Sequence, residues 1–185
     1  EHFEDTVTVN IYLGGPQSKG FKLHIDHHDV LVFQVQGNKD WEIREPSLKH
    51  PLVLPEHITE PPAKSLWKGT LRDGDILYLP RGFWHRAQAQ ETTSLHLTFG
   101  IQPCTGLHFL GWLRKKLLSN ELFRAEVPRH NPDKMRQYLL SLENTLQELH
   151  HTDQVNLFLQ EHSSRIKSER TDLKNNLYPQ KKSGD

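Results

Sequence analysis

Gly74-Asp-Ile-Leu-Tyr-Leu-Pro-Arg-Gly-Phe-Trp-His85 is the stretch on which the reading of the fold turns. It opens on a glycine turn, runs through a short apolar strand over Ile76–Leu79, and bends at Pro80-Arg81-Gly82 before reaching His85. The two glycines reach backbone geometries that other residues resist, so the corner is predicted to swing His85 back toward the interior of a barrel. An earlier triplet, His24-Ile25-Asp26, supplies the complement. On a strand, residues two apart share a face with Cα atoms roughly 6 to 7 Å apart, so an imidazole and a carboxylate converge while Ile25 turns into packing. Such triplets also arise by chance on surfaces, and it is the second element that gives this one weight. Two nitrogens and one carboxylate form the facial set that leaves positions open on Fe(II). Structural zinc instead takes a closed set of four, and no fourth ligand is evident.

Around these motifs the chain reads as β first and α afterwards. Val7, Val9, Ile11 and Leu13 alternate with Thr6, Thr8, Asn10 and Tyr12, as on a strand that Gly14-Gly15-Pro16 breaks. Further strands are predicted over residues 22–26, 30–35, 41–44, 65–68, 76–79 and 94–101, punctuated by Gly, Pro and Asp. Residues 46–62, rich in Pro and charge, read as a long loop between the two halves of the strand set. After Pro103 the period lengthens: Leu107, Leu110, Leu113 and Leu117 mark one helix, and Met135, Leu139, Leu142, Leu146 and Leu149 a second. Asn131-Pro132-Asp133 begins that second helix with a cap, a proline at the first position and an acid at the positive end of the dipole. A shorter helix is predicted over 153–161. The expected organisation is a mainly β catalytic domain over 1–103, a helical segment over 104–162 and a polar tail or linker over 163–185.

Composition narrows the function. Lys plus Arg balances Asp plus Glu at 23 each, so no net field recruits nucleic acid or an anionic membrane. One cysteine, Cys104, excludes an intramolecular disulfide and a cysteine-rich zinc site; a reducing compartment, the cytoplasm, is the expectation. No apolar run reaches membrane-spanning length. Without an initiator Met or a signal-like start, the chain is expected to be an excerpt of a longer protein. Thirteen histidines stand out, but several lie in the polar C-terminal half, where solvated His is ordinary, so placement decides.

Gly74 through His85 resembles the second motif of the cupin superfamily, and His24-x-Asp26 the JmjC variant of its first motif, in which an acid replaces a histidine. The stretch His24-Ile-Asp-His-His-Asp-Val-Leu-Val-Phe-Gln-Val-Gln-Gly-Asn-Lys-Asp-Trp41 is similar to the ribosomal oxygenases, JmjC hydroxylases that modify ribosomal proteins. The likeness spans about Thr6 to Gly100, and the helical segment also resembles that family, where it serves dimerisation and a winged-helix domain commonly follows; here a polar tail stands instead. The resemblance implies a double-stranded β-helix of cupin or jelly-roll type, Fe(II) held by His24, Asp26 and His85, and 2-oxoglutarate as co-substrate. It also implies a homodimer and a polypeptide substrate such as a ribosomal protein, hydroxylated as 2-oxoglutarate is split with O2 to succinate and CO2.

By the same resemblance Lys39, in the turn before Trp41, pairs the distal carboxylate of 2-oxoglutarate, against the plain reading of a solvated turn lysine. Asn10 and Thr98 are the candidates to hydrogen-bond that co-substrate. Tyr12 and His96 share their faces and read equally well as inward-facing or solvent-exposed. His27 and His28 are expected at the entrance or in solvent, Trp41, Trp67 and Trp84 in packing, with Trp84 also a possible wall of the site, and Arg81 at the rim or the surface. Two further readings share the motif: a hydroxylase of a small peptide or metabolite, and a non-catalytic cupin that binds a metal or ligand. An intact triad together with Lys39 argues against the last.

Overall fold

Seven strands, in two antiparallel sheets, come before three helices in the computed structural model, which describes residues 5–53, 60–149 and 152–177. The chain divides into two units, one of Asp5–Pro103 and one beginning at Cys104. In the first unit the larger sheet has the order β1 (Thr6–Gly14), β7 (Ser94–Gln102), β2 (Asp29–Gln36), β5 (Ile76–Leu79). The smaller one has the order β4 (Ser65–Leu71), β3 (Lys39–Arg44), β6 (Trp84–Ala89). In the larger sheet no two neighbours are consecutive in the chain, and in the smaller one β6 crosses over to pair with β3 while β3 and β4 are consecutive, a jelly-roll pattern of crossovers rather than a simple meander.

Alternation decides what lies between the sheets. Val30 and Val32 of β2, Trp41 and Ile43 of β3, Leu71 of β4 and Leu79 of β5 form one buried cluster, with Leu77, Phe83 and Ala87 packed against it. The opposite face of β3 is polar, yet Glu42 on it is only 5% exposed. Its carboxylate accepts from Ser65 Oγ at 2.5 Å and Arg44 Nε at 3.0 Å on one oxygen, and from Arg86 Nε at 2.7 Å on the other. On the larger sheet the apolar face of β1 is the outer one: Ile11 is 71% exposed, and Val9 and Leu13 are exposed beside it. On the opposite face Tyr12 is half-buried and lines the cavity described below, whereas Thr6, Thr8 and Asn10 are exposed.

Three expectations need correction. Residues 22–26 form no ladder strand; the segment touches the smaller sheet only at the isolated bridges Lys19↔Gln88 and His24↔His85. Gly20 permits this close pass, since its N–H donates to Ala87 O at 3.3 Å and an added Cβ would meet that oxygen at 2.5 Å. Ile25 still points into packing, at 2% exposed. Secondly, β6 carries His85 on a strand that was not expected, because Trp-His-Arg-Ala-Gln-Ala lacks the β-branched residues that mark strands. Between β3 and β4 no helix or strand occurs among the described residues; residues 54–59 of the expected loop lie outside them.

In the second unit α1 (Gly106–Leu117) is entered through Thr105, whose backbone N–H donates to His108 Nδ1 at 3.1 Å. Asn131 Oδ1 accepts from Lys134 N at 3.0 Å and starts α2 (Pro132–Glu148) as its cap signature predicts. The third correction concerns α3, which runs Thr152–Leu177 and so continues through residues expected as tail. Lys, Arg, Glu and Leu propagate a helix without an apolar majority, Arg165 and Glu169 pair at 2.7 Å, and Phe158 and Ile166 are buried. Residues 178–185 of the expected tail lie outside the described residues. Trp112 Nε1 and Lys116 Nζ of α1 both donate to Glu161 of α3 at 2.7 Å. No described helix is long and apolar enough to cross a membrane.

Candidate metal centre

The corner before His85 begins the site. Gly82 has φ +87°, and its N–H donates to Asp26 O at 2.9 Å. A Cβ there would meet Leu48 O at 2.5 Å, so both the sign of φ and the space demand glycine. His24 and His85 then exchange both backbone hydrogen bonds, at 3.1 and 2.8 Å, which docks the early segment on β6. Asp26 is therefore tied to the corner by its carbonyl, and His24 to the strand by its amide.

One donor atom each from His24, Asp26 and His85 lies within 4.8 Å of the others, and His85 Nε2 is 3.5 Å from Asp26 Oδ2. A single ion with bonds of about 2.0 to 2.2 Å can bridge such a set after a small inward adjustment. The tautomers favour it. His24 Nδ1 donates to Lys22 O at 2.8 Å and His85 Nδ1 to Phe83 O at 3.0 Å. Each ring thus has its Nδ1–H occupied by a carbonyl, leaving the Nε2 lone pair as the ligand. Burial first, and then the neighbouring His24, holds the His85 imidazole below its usual range, in the neutral form that binds a metal.

The triad opens on a cavity of about 440 Å³ that is also lined by Tyr12, Lys39, Trp41, His96 and Thr98. Lys39 is only 6% exposed and forms no ion pair among the described residues. Burial lowers its pKa. A buried ammonium that faces a cavity gains most from an anion bound there. Thr98 shares the cavity. Asn10, its direct partner across β1 and β7, is exposed and is not part of the lining. His27 and His28 contact each other at 5.2 Å between ring centroids and stand outside the donor cluster. Trp41 and Trp84 are buried and Trp67 is exposed; Trp84 Nε1 donates to Ser47 Oγ at 2.8 Å. Arg81 uses its backbone N–H on Asp29 Oδ1 at 2.9 Å.

Sequence reasoning passed over two features. Phe21, 67% exposed, lines the cavity beside Gly20, and the signal was an aromatic residue isolated in a polar segment. It also completes a closed circuit of six rings around the site. The centroid distances are 4.9 Å from His96 to Tyr12, 6.1 Å to Phe21, 5.7 Å to His24, 4.3 Å to His85, 6.2 Å to Trp41 and 5.9 Å back to His96.

Comparison with known proteins agrees with this geometry. A family model described as "JmjC domain" matches residues 1–109. Ribosomal oxygenase 1 of Rattus norvegicus is 38% identical over 146 residues, covering 73% of this chain and 24% of that protein. The protein YxbC of Bacillus subtilis (strain 168), described as uncharacterized, is 35% identical over 155 residues, 70% of this chain and 46% of that one. The chain thus spans less than half the length of either relative. Among solved structures, the Escherichia coli ribosomal oxygenase YcfD in complex with cobalt and 2-oxoglutarate has a TM-score of 0.56 and 22% identity, over 87% of this chain and 44% of that one, a likeness of fold.

Proposed function

The chain belongs to the JmjC-domain family, and on that footing we propose that it is the catalytic part of an Fe(II)- and 2-oxoglutarate-dependent dioxygenase that hydroxylates a side chain of a polypeptide. One observation carries the reading: two Nε2 lone pairs and a carboxylate converge on the same cavity that the Lys39 ammonium faces. Ferrous iron held by His24, Asp26 and His85, with 2-oxoglutarate bound, would supply the activation of dioxygen. The chain's own residues do the rest. His24, Asp26 and His85 would hold the ion with three donors, a set that suits an iron centre with positions left for co-substrate, Lys39 would pair the far carboxylate of the co-substrate, and Thr98 would offer it a hydroxyl. Asn10, exposed and outside the lining, is not given that role. Tyr12 and Trp41 wall the cavity beside the triad.

The polypeptide substrate, a ribosomal protein foremost, is supported by the name of the rat relative, and the exposed Phe21 in the cavity lining offers such a substrate an apolar contact. The helical unit is proposed to join two copies. Its α2 buries none of its residues and leaves Leu139, Leu140 and Leu146 exposed. A cytoplasmic setting fits a lone cysteine, Cys104. The direct test is anaerobic titration with Fe(II) and then 2-oxoglutarate. The metal-to-ligand charge-transfer band is expected for the wild type, and its absence refutes the reading. Intact masses of ribosomal proteins from cells with and without the gene test the substrate: one of them lacking a single oxygen is the expected result.

A further inference from the structure

We propose that His96 is a positioning residue for the Lys39 ammonium, and that it makes the far wall of the cavity selective for ligands bearing a second carboxylate; this rests on the reading of Lys39 given above. Lysine carries a flexible four-carbon stem and a rotating head, so burial alone does not aim its donors. Here the aim is set from the opposite sheet. Lys39 Nζ on β3 donates to His96 Nδ1 on β7 at 3.0 Å. His96 is 5% exposed, and its ring is clamped face to face against Tyr12 at 4.9 Å with 12° between planes and edge-on to Trp41 at 5.9 Å and 81°.

An imidazole can serve here only when neutral, because a protonated ring has no lone pair for the ammonium and repels it. Burial, and then Lys39 itself, lowers the pKa of His96 to about 4. The neutral ring therefore takes one N–H of Lys39 and leaves the other two for the cavity. A carboxylate acceptor in place of His96 would neutralise the ammonium and compete with the ligand. A neutral acceptor orients the charge without spending it, which suits a site that must receive a dianion and release one.

The test uses the whole chain with Fe(II) under argon and two probes, 2-oxoglutarate and 2-oxobutyrate, which share the 2-oxo acid head and differ in the distal carboxylate. The ratio of their dissociation constants reads the Lys39 contact and is insensitive to general damage. His96→Phe keeps a flat ring on Tyr12 but removes the lone pair. It is expected to cut the preference for 2-oxoglutarate by about tenfold, the scale of one charge-assisted hydrogen bond misdirected, with 2-oxobutyrate unchanged. His96→Gln, which restores an acceptor, is expected to recover most of the preference, and the pair His96→Gln and His96→Leu repeats the comparison if the Phe variant does not fold. Lys39→Met is the control. If it abolishes the preference while His96→Phe retains it, the inference about His96 is overturned and the dioxygenase reading stands. Equal weakening of both probes by His96→Phe also overturns it, as a structural effect. If Lys39→Met leaves the preference intact, the anchor role of Lys39 fails, and the inference fails with it.

Discussion

Replacing Glu42 by Gln tests how the smaller sheet holds the strand that delivers Lys39 and Trp41 to the cavity. The Ser65 hydroxyl first, and then Arg44 and Arg86, holds the Glu42 carboxyl at about 2 against an ordinary 4.5. That fall is worth about 3 kcal/mol at roughly 1.4 kcal/mol per pH unit. The outer cations are partly in water, Lys68 with 65% and Arg86 with 54% of the side chain exposed, so screening reduces the expected contribution to about 2 kcal/mol. A carboxyl whose folded pKa is depressed stabilises above its unfolded pKa and loses that stability as pH falls through the folded one. The window is therefore pH 4.5 down to about 2, and roughly three fifths of the effect is gone at pH 3. Glu42→Gln keeps the shape and gives up the charge. Urea unfolding followed by tryptophan fluorescence should show the variant less stable by about 2 kcal/mol at pH 7 and by under about 1 kcal/mol at pH 3. An equal gap at both pH values refutes the electrostatic account and leaves only packing.

His24→Ala should weaken Fe(II) or Co(II) binding by at least about a hundredfold by calorimetry, with far-UV circular dichroism unchanged, since the backbone pair with His85 does not need the side chain; retained affinity would remove His24 from the ligand set. Gly82→Ala should lower stability by about 2 to 3 kcal/mol through its positive φ and the contact with Leu48 O, seen as a fall in Tm, and a variant of wild-type Tm would show that the corner relaxes freely. Leu139→Glu with Leu146→Glu should convert a dimer to a monomer in light scattering, and an unchanged mass would separate α2 from the proposed interface.

Much of the fold was legible because its signals are local. The alternation around Val30 and Val32, the cap at Asn131 and the corner at Gly82 each act within a few residues of where they are read. That His24, Asp26 and His85 come together was legible from spacing on one side and turn chemistry on the other. What escaped depends on register across the barrel. Lys39 and His96 stand 57 positions apart, and nothing near either residue says that they meet. Asn10 and Thr98 are direct partners on neighbouring strands, yet only Thr98 reaches the cavity, a distinction that a shared face does not carry. Strand β6 was hidden by weak propensity, and the later turns of α3 by a polar composition that helices tolerate as well as tails do.

Each imidazole of the proposed metal triad is tethered to a carbonyl two positions upstream in its own peptide, Lys22 O for His24 and Phe83 O for His85. The aim of either imidazole is thus a property of a tripeptide, and one antiparallel bridge is enough to bring the two together. A designer could graft these fragments onto an unrelated β scaffold and keep the pairing of the two rings, whereas the proposed Lys39 anchor, oriented from a different sheet, would not travel with them.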